Sequence, residues 1–259
     1  MRLLALAAAF TAAALTCASA EATTSSVEIT DMWWNPSESG WGMNVVAQRD
    51  IGFATFFVYD QNQNPVWYTA QLSRQPGDIW SGPLYATKAP WFGGPFPPNS
   101  VTVRQAGTAT FTLVDLNAAT LSYSVDNTTV TKSVQRQTWM SEDYSGEYSG
   151  GFSIQLTDCN PSSYEGLQEL GGLLSVTQTG TDFQLATVSA DGSCSFIGTY
   201  SQTGRMGRVK GNYNCADDTE GAFDITELAP SWNGFNAYIT GTNQYCKFTG
   251  FIGGILRAQ

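Results

Sequence analysis

Apolar and polar residues alternate over short runs along this chain, and no segment after residue 20 repeats its apolar positions at helical spacing. The runs are rich in Val, Thr, Phe, Tyr and Trp and are separated by Gly, Asn, Asp and Pro, which is typical of β-strands and turns. In the first half the pattern predicts strands at 42–48, 51–60, 65–73, 78–87, 100–105, 109–115, 120–125 and 129–137. In the second half it predicts strands at 151–157, 172–178, 182–188, 194–200, 207–215, 221–228, 234–241 and 244–253.

The composition divides these strands into two groups. Residues 141–151 (SEDYSGEYSGG) are small, polar and acidic, which is typical of a boundary between domains. We therefore predict an all-β protein of two antiparallel meander domains, at 27–139 and 144–259, each a barrel or sandwich of about eight strands. The Pro- and Gly-rich segment 89–99 cannot lie inside a sheet, so we expect a surface loop there.

The N-terminus has the pattern of a signal peptide. Arg2 precedes an apolar run at 3–15, and Ala18-Ser19-Ala20 matches the small-residue cleavage pattern. The run is shorter than the ~20 residues that span a bilayer. We expect cleavage after Ala20, export to the periplasm or the medium, and no membrane span.

The cysteines after residue 20 number four, namely Cys159, Cys194, Cys215 and Cys246. An even count in an exported chain favours two disulfides. If 203–207 forms a turn, Cys194 faces Cys215 on one face of a hairpin, so a Cys194–Cys215 bridge is expected. The remaining pair, Cys159–Cys246, would then connect the start of this domain to its last strand.

Charge and composition exclude several classes of function. The chain has 12 basic and 22 acidic residues and no histidine, and loss of Arg2 with the leader would change the net charge from −10 to −11. Such a surface repels nucleic acid and anionic membranes, and the lack of histidine excludes Ser-His-Asp and Cys-His catalytic systems. We expect no cofactor, no metal site and no nucleic-acid partner.

The segment 33–42 (WWNPSESGWG) is the most distinctive motif, with three tryptophans in nine residues. Flat apolar rings beside amide, hydroxyl and carboxylate groups suit a carbohydrate or another ring-bearing ligand. The predicted contacts comprise the motif, a later tryptophan and the loop aromatics: Trp33, Trp34, Asn35, Glu38, Trp41, Trp67, Trp91 and Phe92.

The same motif has two other interpretations. The tryptophans can instead form a plug that closes the end of a barrel, with Trp41 pointing into the core and no ligand involved. Alternatively, Glu38 can serve a glycan hydrolase, which needs a second carboxylate ~5–9 Å away, but the sequence places none opposite it. We therefore expect a non-enzymatic binding module for a carbohydrate or cell-envelope component; oligomeric state is left open.

The motif also resembles that of a known family. Trp33–Gly42, then FATFFVYD at 53–60 and PVWY at 65–68, is similar to a repeat domain of secreted bacterial proteins that carries W-W-N-P-x-E-S-G-W-G, a strand ending in Y-D, and P-x-W-Y. The second half is similar to the cysteine-bearing domain that often follows it. The resemblance implies export and β architecture, and it implies no reaction.

Overall fold

The computed structural model describes residues 28–190 and 192–258. The predicted signal peptide, 1–20, lies outside the described residues. Within the described ranges the chain forms sixteen strands and one short 3-10 turn, Ser162–Tyr164. None of the helical structure in these ranges is long and apolar enough to cross a membrane. The prediction of an all-β fold is confirmed.

The N-terminal half forms a closed barrel of eight antiparallel strands, in which the first strand pairs with the last. The strands are β1 (Asp31–Trp34), β2 (Gly42–Gln48), β3 (Ile51–Tyr59), β4 (Pro65–Gln75), β5 (Ile79–Lys88), β6 (Thr102–Leu113), β7 (Ala118–Val125) and β8 (Thr128–Arg136).

The C-terminal half forms a second closed antiparallel barrel with the same up-and-down topology, and here β9 pairs with β16. Its strands are β9 (Gly146–Thr157), β10 (Gly166–Thr179), β11 (Asp182–Ser189), β12 (Gly192–Thr203), β13 (Met206–Cys215), β14 (Glu220–Ser231), β15 (Gly234–Asn243) and β16 (Lys247–Leu256). Both halves are therefore barrels and not sandwiches.

Two strand predictions for the first half differ from the structure. The segments 100–105 and 109–115 belong to one strand, β6, because the register shift opposite Leu84 and Tyr85 accommodates Ala106 as a bulge and not a turn. The short strand β1 was not predicted, since four residues that carry two adjacent tryptophans show no alternation. The two differences offset each other, so the expected number of strands is still correct.

Large side chains fill the N-terminal barrel. Trp33, Trp80, Phe56 and Phe111 are fully buried, and the rings of Trp33 and Phe111 meet edge to face with centroids 4.7 Å apart. Edge-to-face pairs of this kind stabilise a core beyond the area they bury. The interior of this barrel is therefore a packed core.

The predicted hairpin and both predicted disulfides are confirmed. Strands β12 and β13 pair in the expected register, with Cys194 opposite Cys215 and Phe196 opposite Tyr213. The bridges are Cys194–Cys215 and Cys159–Cys246. The second bridge joins the residue two positions after β9 to the residue just before β16, the pair of strands that closes the barrel.

The two barrels meet at the turn between β12 and β13. The backbone N–H of Gly204 donates to Thr138 Oγ1 at 2.8 Å, and the N–H of Arg205 donates to Asp31 Oδ2 at 3.4 Å. Arg205 also lies 3.8 Å from a carboxylate oxygen of Glu28. This turn of the C-terminal barrel is therefore part of the junction with the N-terminal barrel.

Arg136 is the buried charge at this junction. Its guanidinium donates to the carbonyls of Leu116 (2.7 Å), Thr30 (3.1 Å) and Glu28 and to Asp31 Oδ2 (3.1 Å), and it lies 4.7 Å from the centroid of the Trp33 ring. Burial lowers the pKa of Arg136, while the hydrogen bond to Asp31 opposes that change. A buried charge is tolerated when it is paired and hydrogen-bonded in this way.

Candidate functional site

The first residues of the tryptophan motif lie within or against the N-terminal barrel. Trp33 has no exposed surface, and its indole N–H donates to the Ile29 carbonyl at 3.0 Å. It therefore has no face to offer a ligand, and its predicted role as a ligand contact is corrected to a core role. Trp34 is partly buried, and its indole nitrogen has no hydrogen-bond partner among the described residues.

The middle of the motif is a hydrogen-bonded turn. Asn35 Oδ1 accepts from the Ser37 N–H at 2.9 Å, and the Asn35 carbonyl accepts from the Glu38 N–H at 3.0 Å. Asparagine and aspartate side chains commonly fix turns in this way. Asn35 thus uses its side-chain oxygen to shape the turn.

Glu38 is engaged by two neighbours. Its carboxylate accepts from Lys132 Nζ at 2.8 Å and from Trp41 Nε1 at 3.1 Å. The hydrogen bond from Lys132 holds the pKa of Glu38 below its ordinary value of 4.5, with Trp41 adding to the effect and desolvation opposing it. A carboxylate with a lowered pKa is ionised at neutral pH and is unsuited to donate a proton as a general acid.

Trp41 lies beside Glu38 and Lys132, where the segment between β1 and β2 meets β8. It is partly buried, packs against the core, and lies with its ring centroid 6.0 Å from Lys132 Nζ. Trp41 points towards the core, as the plug interpretation expects, and Met43, two residues further along, is fully buried. The motif turn therefore lies across one end of the N-terminal barrel, while the inter-barrel junction lies at Arg136.

Four exposed aromatic rings lie on the outside of the same barrel. We define the outer aromatic face as four side chains on adjacent strands: Phe53, Phe57 and Tyr59 of β3 and Trp67 of β4. Phe57 lies directly opposite Trp67, which is 55% exposed. The ring of Phe57 also lies over Gly42, where a Cβ atom would come within 2.9 Å of it. A glycine at this position thus leaves room for the ring.

Neutral polar residues separate the rings of this face. Next to the row of Gly42, Phe57 and Trp67 is a row of Asn44, Thr55, Thr69 and Tyr85, and beyond it a row of Val46, Phe53 and Gln71. Successive rows on one face lie about 6.7 Å apart, so Phe53 and Phe57 are separated by about 13 Å. None of these residues is charged.

Trp91 and Phe92 form a second exposed aromatic pair, on the loop between β5 and β6. They are 71% and 92% exposed, and their ring centroids are 5.8 Å apart. Residues 89–99 contain no strand, in agreement with the predicted surface loop.

The structure brings some predicted site residues together and separates others. Glu38 and Trp41 are in contact in the segment between β1 and β2, and Trp67 lies two strands from Gly42 on the outside. Phe53, Phe57 and Tyr59 were not among the predicted contacts. A signal was present, because the run FATFFVY is apolar on both faces, whereas an antiparallel strand with one solvated face normally alternates.

Neither metal-binding groups nor similar proteins identify a function for this site. The described residues contain no group of three or more His, Cys, Asp or Glu side chains that could hold a metal ion. No protein-family model matches the chain, and no curated protein is significantly similar to it.

Proposed function

We propose that this protein is a non-enzymatic binding module and that the outer aromatic face of its N-terminal barrel binds a carbohydrate of the cell envelope or surroundings. The observation that carries the proposal is the exposed pair of Phe57 and Trp67, directly opposite each other on β3 and β4. Neighbouring exposed rings can belong to an interaction site, whereas exposed apolar residues that are scattered singly are normal.

The chemistry of the face favours a glycan over a protein partner. The apolar side of a sugar ring packs on a flat aromatic ring, while its hydroxyls need neutral donors and acceptors, which Asn44, Thr69 and Gln71 supply between the rings. Protein interfaces are enriched in arginine as well as aromatic residues, and the rows of this face contain no arginine. Trp91 and Phe92 are proposed as a second contact on the loop.

The hydrolase alternative has less support. Glu38 is occupied by Lys132 and Trp41, and the lowered pKa of its carboxyl opposes a role as general acid. The purely structural alternative accounts for Trp33, which is buried, but it gives no reason for exposed rings at Phe53, Phe57 and Trp67.

We also propose that the protein is exported and acts in the periplasm or outside the cell. The two disulfides of the C-terminal barrel support this, since such bonds persist in oxidising compartments.

Affinity electrophoresis in native gels tests the proposal. The net charge of −10 drives the protein into gels that contain neutral glycans such as β-glucan, xylan or galactomannan. We expect at least one glycan to retard the protein, and Trp67→Ala or Phe57→Ala to remove most of that retardation. Trp232→Ala is the matched control, because Trp232 is fully exposed on the other barrel. Equal retardation of Trp67→Ala and the wild type, or no retardation by any glycan, would contradict the proposal.

The same gels test the loop and the hydrolase alternative. Trp91→Ala should weaken retardation if the loop contributes to binding. Release of reducing sugar that disappears in Glu38→Gln would instead support catalysis.

A further inference from the structure

The C-terminal barrel is closed at one end by tyrosines. Tyr144 Oη donates to the Leu228 carbonyl at 3.1 Å, and Tyr148 Oη donates to the Tyr144 carbonyl at 2.8 Å. Phe235 meets the rings of both tyrosines edge to face. These residues pack together at the end of the barrel where β9 begins, so this end is filled.

The opposite end, where both disulfides lie, opens into a cavity of about 910 Å³. Eight-stranded barrels either fill their interior with side chains or hold one small ligand, and ligand sites commonly have volumes of about 300–1,000 Å³. The N-terminal barrel is of the filled kind. The C-terminal barrel has space inside.

Stacked rings line the inner part of this cavity. Phe196 lies between Phe152 and Tyr213, with interplanar angles of 22° and 16° and centroid distances of 5.6 and 5.0 Å. Phe248 meets Tyr213 edge to face at 5.8 Å. Leu174 and Ile239 are buried beside them. These surfaces fit a flat, ring-bearing apolar molecule.

Polar groups lie towards the mouth. Burial raises the pKa of Tyr213 most, a hydrogen bond with Asn243 opposes this, and the charge of Asp217 adds to it, so the phenol stays protonated and can donate. Among the described residues that line the cavity there is no lysine or arginine, and Asp217 supplies a carboxylate at the mouth. The side chain of Glu169, which pairs with Ser153, lies on the outward face of β10. The nearby cation Lys247 is paired with Asp158 at 2.8 Å. An anion therefore finds no opposite charge in the lining.

We infer that the C-terminal barrel is a second, independent binding site, which takes one small, flat, apolar ring molecule that is neutral or cationic and excludes anionic molecules of the same shape. The inference rests on the ring stack, the cavity volume and the charge of the lining. It does not depend on the outer aromatic face, which lies on the other barrel.

Two fluorescent probes with the same ring pair test the inference on the full chain. N-phenyl-1-naphthylamine is neutral, and 1-anilinonaphthalene-8-sulfonate carries a sulfonate. We expect the neutral probe to bind with saturation at one site, and the sulfonate to bind at least tenfold more weakly. Absence of saturable binding of the neutral probe, or equal affinity for the two probes, would overturn the inference.

Two adjacent substitutions locate the site. Thr187 lines the cavity, whereas the preceding residue, Ala186, is exposed on the outside of the barrel. Thr187→Phe adds a ring to the cavity and should weaken the neutral probe at least tenfold, while Ala186→Phe adds the same ring outside and should leave the affinity unchanged. Equal affinities in the two variants would place the probe elsewhere and refute the site.

A charge variant tests the selectivity without adding bulk. The variant Asp217→Asn keeps a side chain of the same shape and removes the carboxylate at the mouth of the cavity. We expect the difference in affinity between the two probes to shrink at least threefold in this variant. Glu169→Gln is the matched control, because Glu169 lies on the outward face of β10, and it should leave that difference unchanged. If the difference in affinity between the two probes is unchanged in Asp217→Asn, the proposed exclusion of anions is refuted. This test does not depend on whether Thr187→Phe folds.

Discussion

Replacement of Arg136 by methionine is expected to destabilise the N-terminal barrel by about 3–5 kcal/mol, because it removes one partner of a buried ion pair. The guanidinium side chain is fully buried, and Asp31, its partner at 3.1 Å, is 9% exposed. Methionine retains most of the packing on Trp33, but it leaves the Asp31 carboxylate and the carbonyls of Thr30 and Leu116 without this donor. The lost hydrogen bonds therefore determine the cost.

Arg104→Met in the same barrel is the matched control. Arg104 pairs with Asp126 at 2.6 Å, a shorter distance than that between Arg136 and Asp31. The side chains of Arg104 and Asp126 are, however, both more than half exposed. Exposed pairs contribute little to stability, so this variant should change the free energy of unfolding much less than Arg136→Met does.

Urea unfolding followed by tryptophan fluorescence compares the two variants, since Trp33 and Trp80 are buried in this barrel and report its opening. If Arg136→Met lowers the free energy of unfolding no more than Arg104→Met does, the argument that burial determines the contribution of the pair is refuted. A double-mutant cycle with Asp31→Asn should give a coupling energy above 1 kcal/mol.

Two further predictions concern the motif turn and the junction. Lys132→Gln should raise the pKa of Glu38 towards 4.5, as measured by carbon NMR titration of the carboxyl, because Lys132 is the main cause of its lowering. Because the folded pKa of Glu38 lies below its ordinary value, the stabilisation from the Glu38–Lys132 pair is present above pH 4.5 and is lost as the pH falls through the folded pKa. If Lys132→Gln leaves the titration of Glu38 unchanged, Lys132 is not the cause of the lowered pKa. Gly204→Ala should lower the melting temperature more than Gly180→Ala. Both glycines have φ near +60°, so the backbone strain of an alanine is similar at the two positions. A Cβ at Gly204 would lie 2.5 Å from Arg136 Cβ, whereas a Cβ at Gly180 would meet nothing within 4 Å. Equal losses would show that backbone strain alone accounts for the effect.

Local patterns predicted most of the strands and one complete register. The alternation from Cys194 to Tyr200 and from Val209 to Cys215 placed matching residues on one face of a hairpin, and the disulfide pairing followed from that register. This succeeded because a short turn determines which residues face each other. Boundaries and bulges, such as Ala106, depend on the neighbouring strand and were not visible in the sequence.

Contacts between distant segments were not predictable in the same way. Glu38 and Lys132 are 94 residues apart, and Arg136 of β8 reaches Glu28 and Thr30, which precede the neighbouring strand β1. The sequence placed Glu38 among polar and aromatic neighbours, which fitted both binding and catalysis. Closure of the barrel brings β8 beside β1, and only then does Lys132 form an ion pair with the Glu38 carboxylate.

The two barrels illustrate why strand number alone does not determine function. Both have eight strands in the same order, yet the N-terminal barrel buries Trp33, Trp80 and Phe111 and exposes rings outside, while the C-terminal barrel stacks its rings around a cavity. The difference follows from which side chains point inwards, since a barrel of this size has an interior just wide enough to be filled by large residues. Inward and outward positions follow from strand register, which a one-residue shift reverses. For the same reason the aromatic content of the sequence indicated binding before it could show which surface of which barrel provides it.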